Sequence, residues 1–253
     1  MQCAAHITLR CEAKGKHSTS CICNYTRCRD DRGVESVPSC AGVDGCPAGW
    51  IVVTRDRVEV VPTFSRVPDG FAVLGVDMPI GMSSGCHRVA DVAARAFVGA
   101  RRSSVFPTPH RDLLEFAGDR GAYAAANAAS KARHGKGLPR QAFNLLSRIA
   151  EVDAAITPQR EHQLIEVHPE CSFRLLAHAE LPSKHTAEGR ARRRDLVERT
   201  FGQVPAPPRG ATEIDLLDAY AVLWSAERFA TGRHDTLGDH ARDPRGLIMR
   251  IVV

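Results

Sequence analysis

The sequence has no long hydrophobic run and few aromatic side chains. No apolar stretch approaches the ~18 residues of a membrane-spanning helix. The longest, such as Gly49 to Val53, have the length of a β-strand. Because no apolar segment follows Met1, a secretory signal is not indicated, and we expect a cytoplasmic protein without a membrane partner whose nine cysteines are reduced. Aromatic residues make up only 6%, which gives little support for platforms that stack single-stranded bases.

Familiar phosphate-binding and zinc-binding patterns are also missing. The sequence contains neither a P-loop nor a G-x-G-x-x-G that follows a strand. Cys21, Cys23 and Cys28 lie close together, but they lack the C-x2-C spacing of a zinc ribbon. The formal net charge of +5 is mildly basic, so it permits a polyanionic partner without requiring one.

The chain divides by composition near residue 38. Residues 1–38 carry few large aliphatic side chains, so we expect them to be disordered or to lie outside the functional protein. Residues 39–253 have the periodicity of one α/β domain, with a helical insertion at about 86–163. A long insertion of this kind is usually functional.

Hydrophobic periodicity and turn residues predict the elements of this domain. The front of the domain favours hairpins and the rest alternates strands with helices, which predicts a mixed sheet with helices packed on it. Thr108-Pro109 is typical of a helix start. The predicted strands are 40–44, 49–54, 57–63, 71–76, 163–168 and 246–253, and the predicted helices are 88–98, 120–134, 139–156, 169–177, 188–201 and 212–231.

Four aspartates stand at positions that suit catalysis. Asp44 and Asp77 end predicted strands, and Asp215 and Asp218 share one face of the last predicted helix. If they converge, their mutual repulsion is relieved only by protonation or by bound cations, and carboxylate oxygens favour Mg²⁺ or Mn²⁺. Two such ions can drive phosphodiester hydrolysis. Each aspartate alone is also explained by a turn, a helix cap or a solvated surface.

Five segments resemble a known family, the domain-of-unknown-function family 429. They run in the family's order from about Ala41 to the end of the chain. Members are described as predicted ribonuclease-H-like nucleases, and the Asp-x-x-Asp helix is similar to the last catalytic helix of Holliday-junction resolvases. The segments are Gly-Val-Asp-Gly-Cys-Pro-Ala-Gly-Trp at 42–50, Val-Asp-Met-Pro-Ile-Gly at 76–81, Arg-Arg-Ser-Ser-Val-Phe-Pro at 101–107, Glu-Val-His-Pro-Glu at 166–170 and Asp-Leu-Leu-Asp-Ala at 215–219.

The resemblance implies a ribonuclease-H-like α/β fold, with a mixed central sheet flanked by helices. It further implies that Asp44, Asp77 and Asp218 bind Mg²⁺ or Mn²⁺, with Asp215 as a fourth carboxylate. On this basis we expect a divalent-metal-dependent nuclease that acts on DNA or RNA. Two alternatives remain: an enzyme of the same superfold that acts on a nucleotide or phosphometabolite, and a non-catalytic nucleic-acid-binding module.

Two further polar groups are candidates for the same site. The two-residue period of a strand gives Glu166 and His168 one face, where they could add a ligand or a general base. Equally, His168 could be a structural hydrogen-bonding group. Hydroxyls and guanidinium groups suit a phosphate, although a solvated basic helix end explains them as well. The candidate substrate-binding residues are Arg101, Arg102, Ser103, Ser104 and Gln141.

Overall fold

The computed structural model describes residues 38–85 and 87–253. The predictions for 1–37, including the question of zinc at Cys21, Cys23 and Cys28, lie outside the described residues. Within the described part, no helix combines the length and the apolar character needed to cross a bilayer.

A five-stranded mixed sheet forms the centre of the described chain. Its order is β3-β2-β1-β4-β5, in which β1, β2 and β3 are antiparallel neighbours and β4 and β5 run parallel to β1. The predicted mixed α/β class is therefore confirmed, and the arrangement is consistent with a ribonuclease-H-like fold. The strands are β1 (Cys40–Cys46), β2 (Gly49–Val53), β3 (Val58–Val61), β4 (Val73–Val76) and β5 (Leu164–Glu166).

The described residues form six α-helices, several of which flank this sheet, and a small second sheet pairs β6 with β7. The predicted helices agree with the observed ones to within three residues at each end. The helices are α1 (Val89–Phe97), α2 (Tyr123–His134), α3 (Arg140–Ala155), α4 (Pro169–Ala177), α5 (Ala187–Phe201) and α6 (Glu213–Ala230), and the short strands are β6 (Thr236–Leu237) and β7 (Ile251–Val252).

The side chains of each strand alternate between the two faces of the sheet, so the core has a layer on each face. Val43 and Val76 pack on one face of the sheet with Ile149 and Val152 of α3. The opposite face packs on α6, where apolar residues such as Leu216 are fully buried. Since successive side chains of a strand point to opposite faces, the residues next to Val43 and Val76 face α6.

Two paired glycines allow α6 to pack directly on the sheet. Gly42 and Gly75 are partners across β1 and β4. A Cβ at Gly42 would lie 2.1 Å from the carbonyl oxygen of Ala219 and 2.3 Å from the backbone nitrogen of Leu223. At Gly75 it would lie 2.8 Å from a methyl group of Val222. The close approach fixes the height of α6 above the ends of β1 and β4.

Two predicted elements are wrong. Thr108 starts no helix, because its hydroxyl accepts a hydrogen bond from Arg88 and its backbone N–H donates to Asp91. The final strand is only Ile251–Val252 rather than 246–253. Upstream of it, the backbone folds into a turn that pairs locally through an isolated bridge between Arg242 and Ile248, and the N–H of Leu247 donates to the side chain of Asp243.

Candidate active site

Asp44 and Asp77 lie side by side at one edge of the central sheet. Val43 and Val76 are partners in the parallel β1–β4 pair, and the backbone N–H of Asp77 donates to the carbonyl of Val43 at 2.9 Å. Each aspartate therefore follows its valine onto the face that α6 covers. Asp44 is buried and Asp77 is half-buried. The sequence predicts that Asp44 ends its strand, but β1 continues to Cys46 and only Asp77 follows a strand end. The two carboxylates share a restricted space where the parallel pairing of β1 and β4 ends.

Helix α6 adds the third carboxylate. Its first turn is held by a capping box, in which Thr212 accepts from the N–H of Asp215 and Asp215 accepts from the N–H of Thr212 at 2.7 Å. Asp218 follows one turn later and only 2% of its surface is exposed. Asp215 remains half-buried at the helix N-terminus, where its charge is favourable.

The electrostatic coupling of these residues reflects their proximity. Burial and then the charges of Asp77 and Asp218 raise the pKa of Asp44 well above its ordinary value. Burial followed by Asp218 raises the pKa of Asp77 to about 8. Burial also raises the pKa of Asp218, although Lys184 opposes the shift. These shifts mean that the surroundings disfavour three ionised carboxylates at once, unless a cation joins them.

Lys184 supplies part of the missing positive charge. Its Nζ lies 2.5 Å from Oδ2 of Asp218. Burial alone would lower the pKa of Lys184, but the carboxylates of Asp218, Asp44 and Asp77 outweigh this effect and raise it. The other carboxylate oxygen, Oδ1 of Asp218, is buried and has no hydrogen-bond partner among residues 38–85 and 87–253. A buried acceptor without a partner is costly, so this oxygen is available to a ligand.

Both acids of the segment 166–170 form buried ion pairs. Oε2 of Glu166 accepts from Arg88 at 2.6 Å and from the N–H of Ile80 at 2.7 Å. Strand β5 ends at Glu166, so His168 does not share a strand face with it. Glu170 instead forms a bidentate pair with Arg193, at 2.8 and 3.0 Å. These pairs anchor α1 and α5 beside the end of β5.

His168 is the N-cap of α4. Its Nδ1 accepts from the N–H of Glu170 at 3.3 Å, and its ring also bonds the backbone of Ser104. Burial and the nearby Lys184 lower the pKa of His168 to about 4. The imidazole is therefore neutral at pH 7 and both of its nitrogens have structural partners.

The other predicted substrate-binding residues lie at different distances from the carboxylates. Arg101 reaches the loop of Lys184, because its Nη2 lies 3.4 Å from Oγ of Ser183. Arg102 and Ser103 are exposed on the same 3-10 helix, Gly99–Ser104. Gln141 is exposed in the first turn of α3. Of these residues, Arg101 and Ser104 contact elements that carry site residues.

The oxygen donors of the carboxylates suit a divalent cation, but the side chains are not arranged around one in this structure. Asp44, Asp77 and Asp218 offer only hard oxygen donors, which Mg²⁺ and Mn²⁺ prefer, and one oxygen of Asp218 lacks a partner. Yet within residues 38–85 and 87–253 no three acidic, histidine or cysteine side chains are already arranged around a common point suitable for a metal. In this structure the ammonium of Lys184 contacts Asp218 instead.

Comparison with known families agrees with the resemblance. A family model described as "Protein of unknown function (DUF429)" matches residues 42–243. The chain belongs to this family. The DUF429 match includes Asp44, Asp77, Lys184 and Asp218. No curated protein and no solved structure matches the chain.

Two basic residues within the DUF429 match were not identified from the sequence. Lys184 is a single lysine in the loop before α5, and no motif distinguishes it from a surface lysine. Arg148 of α3 donates to the carbonyl of Cys46 at 2.5 Å and packs where a Cβ of Gly45 would lie. The only available signal for Arg148 was Gly45, the small residue directly after Asp44.

Proposed function

We propose that this protein is a divalent-metal-dependent hydrolase of phosphodiester bonds in nucleic acid, with Asp44, Asp77 and Asp218 as the metal-binding residues. The observation that carries the proposal is the buried Oδ1 of Asp218, which has no partner in the described part of the chain and lies beside two carboxylates whose pKa values are raised. Such an arrangement is stabilised by a cation. The sheet order, which is consistent with a ribonuclease-H-like fold, supports it further.

The carboxylates would hold Mg²⁺ or Mn²⁺, which when bound can activate water and stabilise the leaving oxygen of a phosphodiester. Asp44 and Asp77 are attached to a hydrogen-bonded sheet, so their backbones are rigid. Asp218 is attached to a helix that packs closely on the same sheet. A rigid scaffold keeps donor atoms in a productive geometry.

A basic side chain near Lys184 supports an anionic substrate. Arg101 contacts Ser183, the residue before Lys184. Guanidinium groups bind phosphate through charge-assisted hydrogen bonds. We propose that Arg101 binds a phosphate of the substrate and that Arg148, which lies beside Gly45 and donates to the carbonyl of Cys46, holds the end of β1 in place.

Cleavage of labelled nucleic acids tests this function. Single- and double-stranded DNA, RNA, an RNA–DNA hybrid and a four-way junction are incubated with the full chain and Mg²⁺ or Mn²⁺. We expect cleavage of at least one substrate, abolished by EDTA, and a loss of about 100-fold or more in Asp44→Asn.

Asp69→Asn is the matched control, since Asp69 is an exposed acid in a loop away from the strand ends. This variant should cleave at the wild-type rate. Cleavage that survives in Asp44→Asn at an undiminished rate would indicate a contaminating nuclease or a different site and would refute the assignment.

A further inference from the structure

The position of Lys184 is built by several independent contacts. Arg193, which is paired with Glu170, also donates to the carbonyl of Pro182 at 2.8 Å. Thr186 caps α5 and its hydroxyl donates to the carbonyl of Ser183 at 2.8 Å. These contacts hold the backbone on both sides of Lys184. Its contact with Asp218 is therefore a consequence of a fixed loop rather than of one long, free side chain.

Asp218 has two oxygens in different environments. Oδ2 lies 2.5 Å from the ammonium of Lys184. Oδ1 is buried and has no hydrogen-bond partner among the described residues. A carboxylate can contact two cations at once, one on each oxygen. In Asp218, the ammonium of Lys184 already occupies the position at Oδ2, so the position at Oδ1 remains.

The net charge of the carboxylate cluster limits which cations can bind at Oδ1 of Asp218. Asp44, Asp77 and Asp218 together carry three negative charges when ionised. Asp215 has a partner of its own, because its carboxylate accepts the N–H of Thr212 at the positive end of α6, and of the three neighbouring aspartates it has the smallest effect on the pKa of Asp44. One divalent ion and the ammonium of Lys184 neutralise the three carboxylates. A second divalent ion beside the ammonium would leave a buried excess of two positive charges, which is unfavourable. Without the ammonium the same two ions leave an excess of only one, so loss of the Lys184 charge favours the second ion.

We propose that the carboxylate cluster binds one divalent cation rather than two, because the ammonium of Lys184 takes the electrostatic place of the second. This inference rests on the proposed function and specifies its metal stoichiometry. Lys184 is then a positioning residue, which holds Oδ2 of Asp218 and leaves Oδ1 for the ion. The Glu170–Arg193 pair acts through Lys184 by fixing its loop.

The stoichiometry of bound Mn²⁺ tests this inference without an activity assay. Mn²⁺ is titrated into the metal-free full chain, and free Mn²⁺ is measured by electron paramagnetic resonance. We expect one Mn²⁺ per wild-type chain. Lys184→Met keeps the length of the side chain but removes its charge, and we expect a second Mn²⁺ to bind with an affinity increased at least about 10-fold over any second binding in wild type.

Three further variants control the titration. Lys184→Arg keeps the charge and should bind one Mn²⁺. Lys184→Gln is a second neutral variant in case Lys184→Met does not fold, as judged by circular dichroism. Lys131→Met removes an exposed lysine of α2 and should behave as wild type.

Each other outcome has a distinct meaning. Two Mn²⁺ in wild type would overturn the inference and leave the proposed metal-dependent function standing. One Mn²⁺ in both wild type and the folded neutral variants would overturn the role of Lys184. No bound Mn²⁺ in any variant would overturn the inference and the proposed function together.

Discussion

Asp77 combines burial with a like-charged neighbour, and both disfavour its ionised form. Its pKa of about 8 in the folded chain lies above its ordinary value of 3.8. Between these values the folded state retains a proton that the unfolded state releases, so the stability that this proton confers is lost as pH rises towards 8. The metal-free protein should therefore be less stable at pH 8 than at pH 5 on account of this residue.

Asp77→Asn should remove this dependence. The full pKa shift corresponds to roughly 5 kcal/mol, but Asp77 is only half-buried and water screens its charge. We therefore expect the free energy of unfolding of the variant to exceed that of wild type by on the order of 2 kcal/mol at pH 8, and the difference to vanish below about pH 3. Urea denaturation in EDTA at several pH values measures it. If the difference in free energy of unfolding between variant and wild type did not change with pH, ionisation of Asp77 would not be what destabilises the folded protein.

His168 is predicted to act as a helix cap. His168→Ala should destabilise the protein by about 1 kcal/mol at pH 7, because the N–H of Glu170 loses its acceptor. His168→Asn keeps a capping oxygen and should lose less. Chemical denaturation of both variants makes the comparison. Equal loss of stability in the two variants would contradict the capping role.

The sequence reveals some of these residues and conceals others for physical reasons. Asp77 directly follows the apolar run of β4, so its position at the end of a strand is visible in the local pattern, whereas β1 continues two residues past Asp44. Lys184 meets Asp218 only because the loop and α6 come together in three dimensions. Likewise the sequence presents Glu166 as a candidate ligand. It does not reveal the ion-pair partner, because Arg88 is 78 residues away along the chain.

At the scale of elements, the contact between α6 and the sheet determines where Asp218 lies. Gly42→Ala places a methyl group against the backbone of Ala219 and Leu223, which cannot rotate away. We expect a destabilisation of about 1–3 kcal/mol or more, together with weaker Mn²⁺ binding, although no carboxylate is changed. Thermal melts with and without Mn²⁺ measure both effects.

Gly85→Ala is the matched control, since a Cβ at Gly85 would meet no atom within 4 Å. It should leave stability and Mn²⁺ binding unchanged. If Gly42→Ala behaved in the same way, close packing of α6 would not be what positions Asp218.

Local signals predict the helices better than the last strand. The bounds of α4 agree at both ends with the prediction, and Asp215 caps α6, which is one of the explanations that the sequence leaves open for this residue. The final strand is shorter, because its predicted first part bonds to side chains such as Glu161, 87 residues away from Ile248. Such long-range partners leave no trace in local periodicity.

At the scale of the whole molecule, the described chain places its carboxylates at one edge of a mixed sheet. The DUF429 match covers this sheet almost entirely, from Gly42 onward, together with α6. Composition and periodicity predict the α/β class and the mixed sheet. The strand order required the structure, since hairpins and crossovers with similar lengths permit several orders.

The central claim is that Asp44, Asp77 and Asp218 form a cation site. A thermal melt of the full chain at pH 7, with and without Mn²⁺, for wild type and Asp44→Asn, tests it most directly. A ligand that binds only the folded state raises its stability, so we predict a rise in Tm for wild type that is lost in the variant. No rise in wild type, or an equal rise in Asp44→Asn, would contradict the claim.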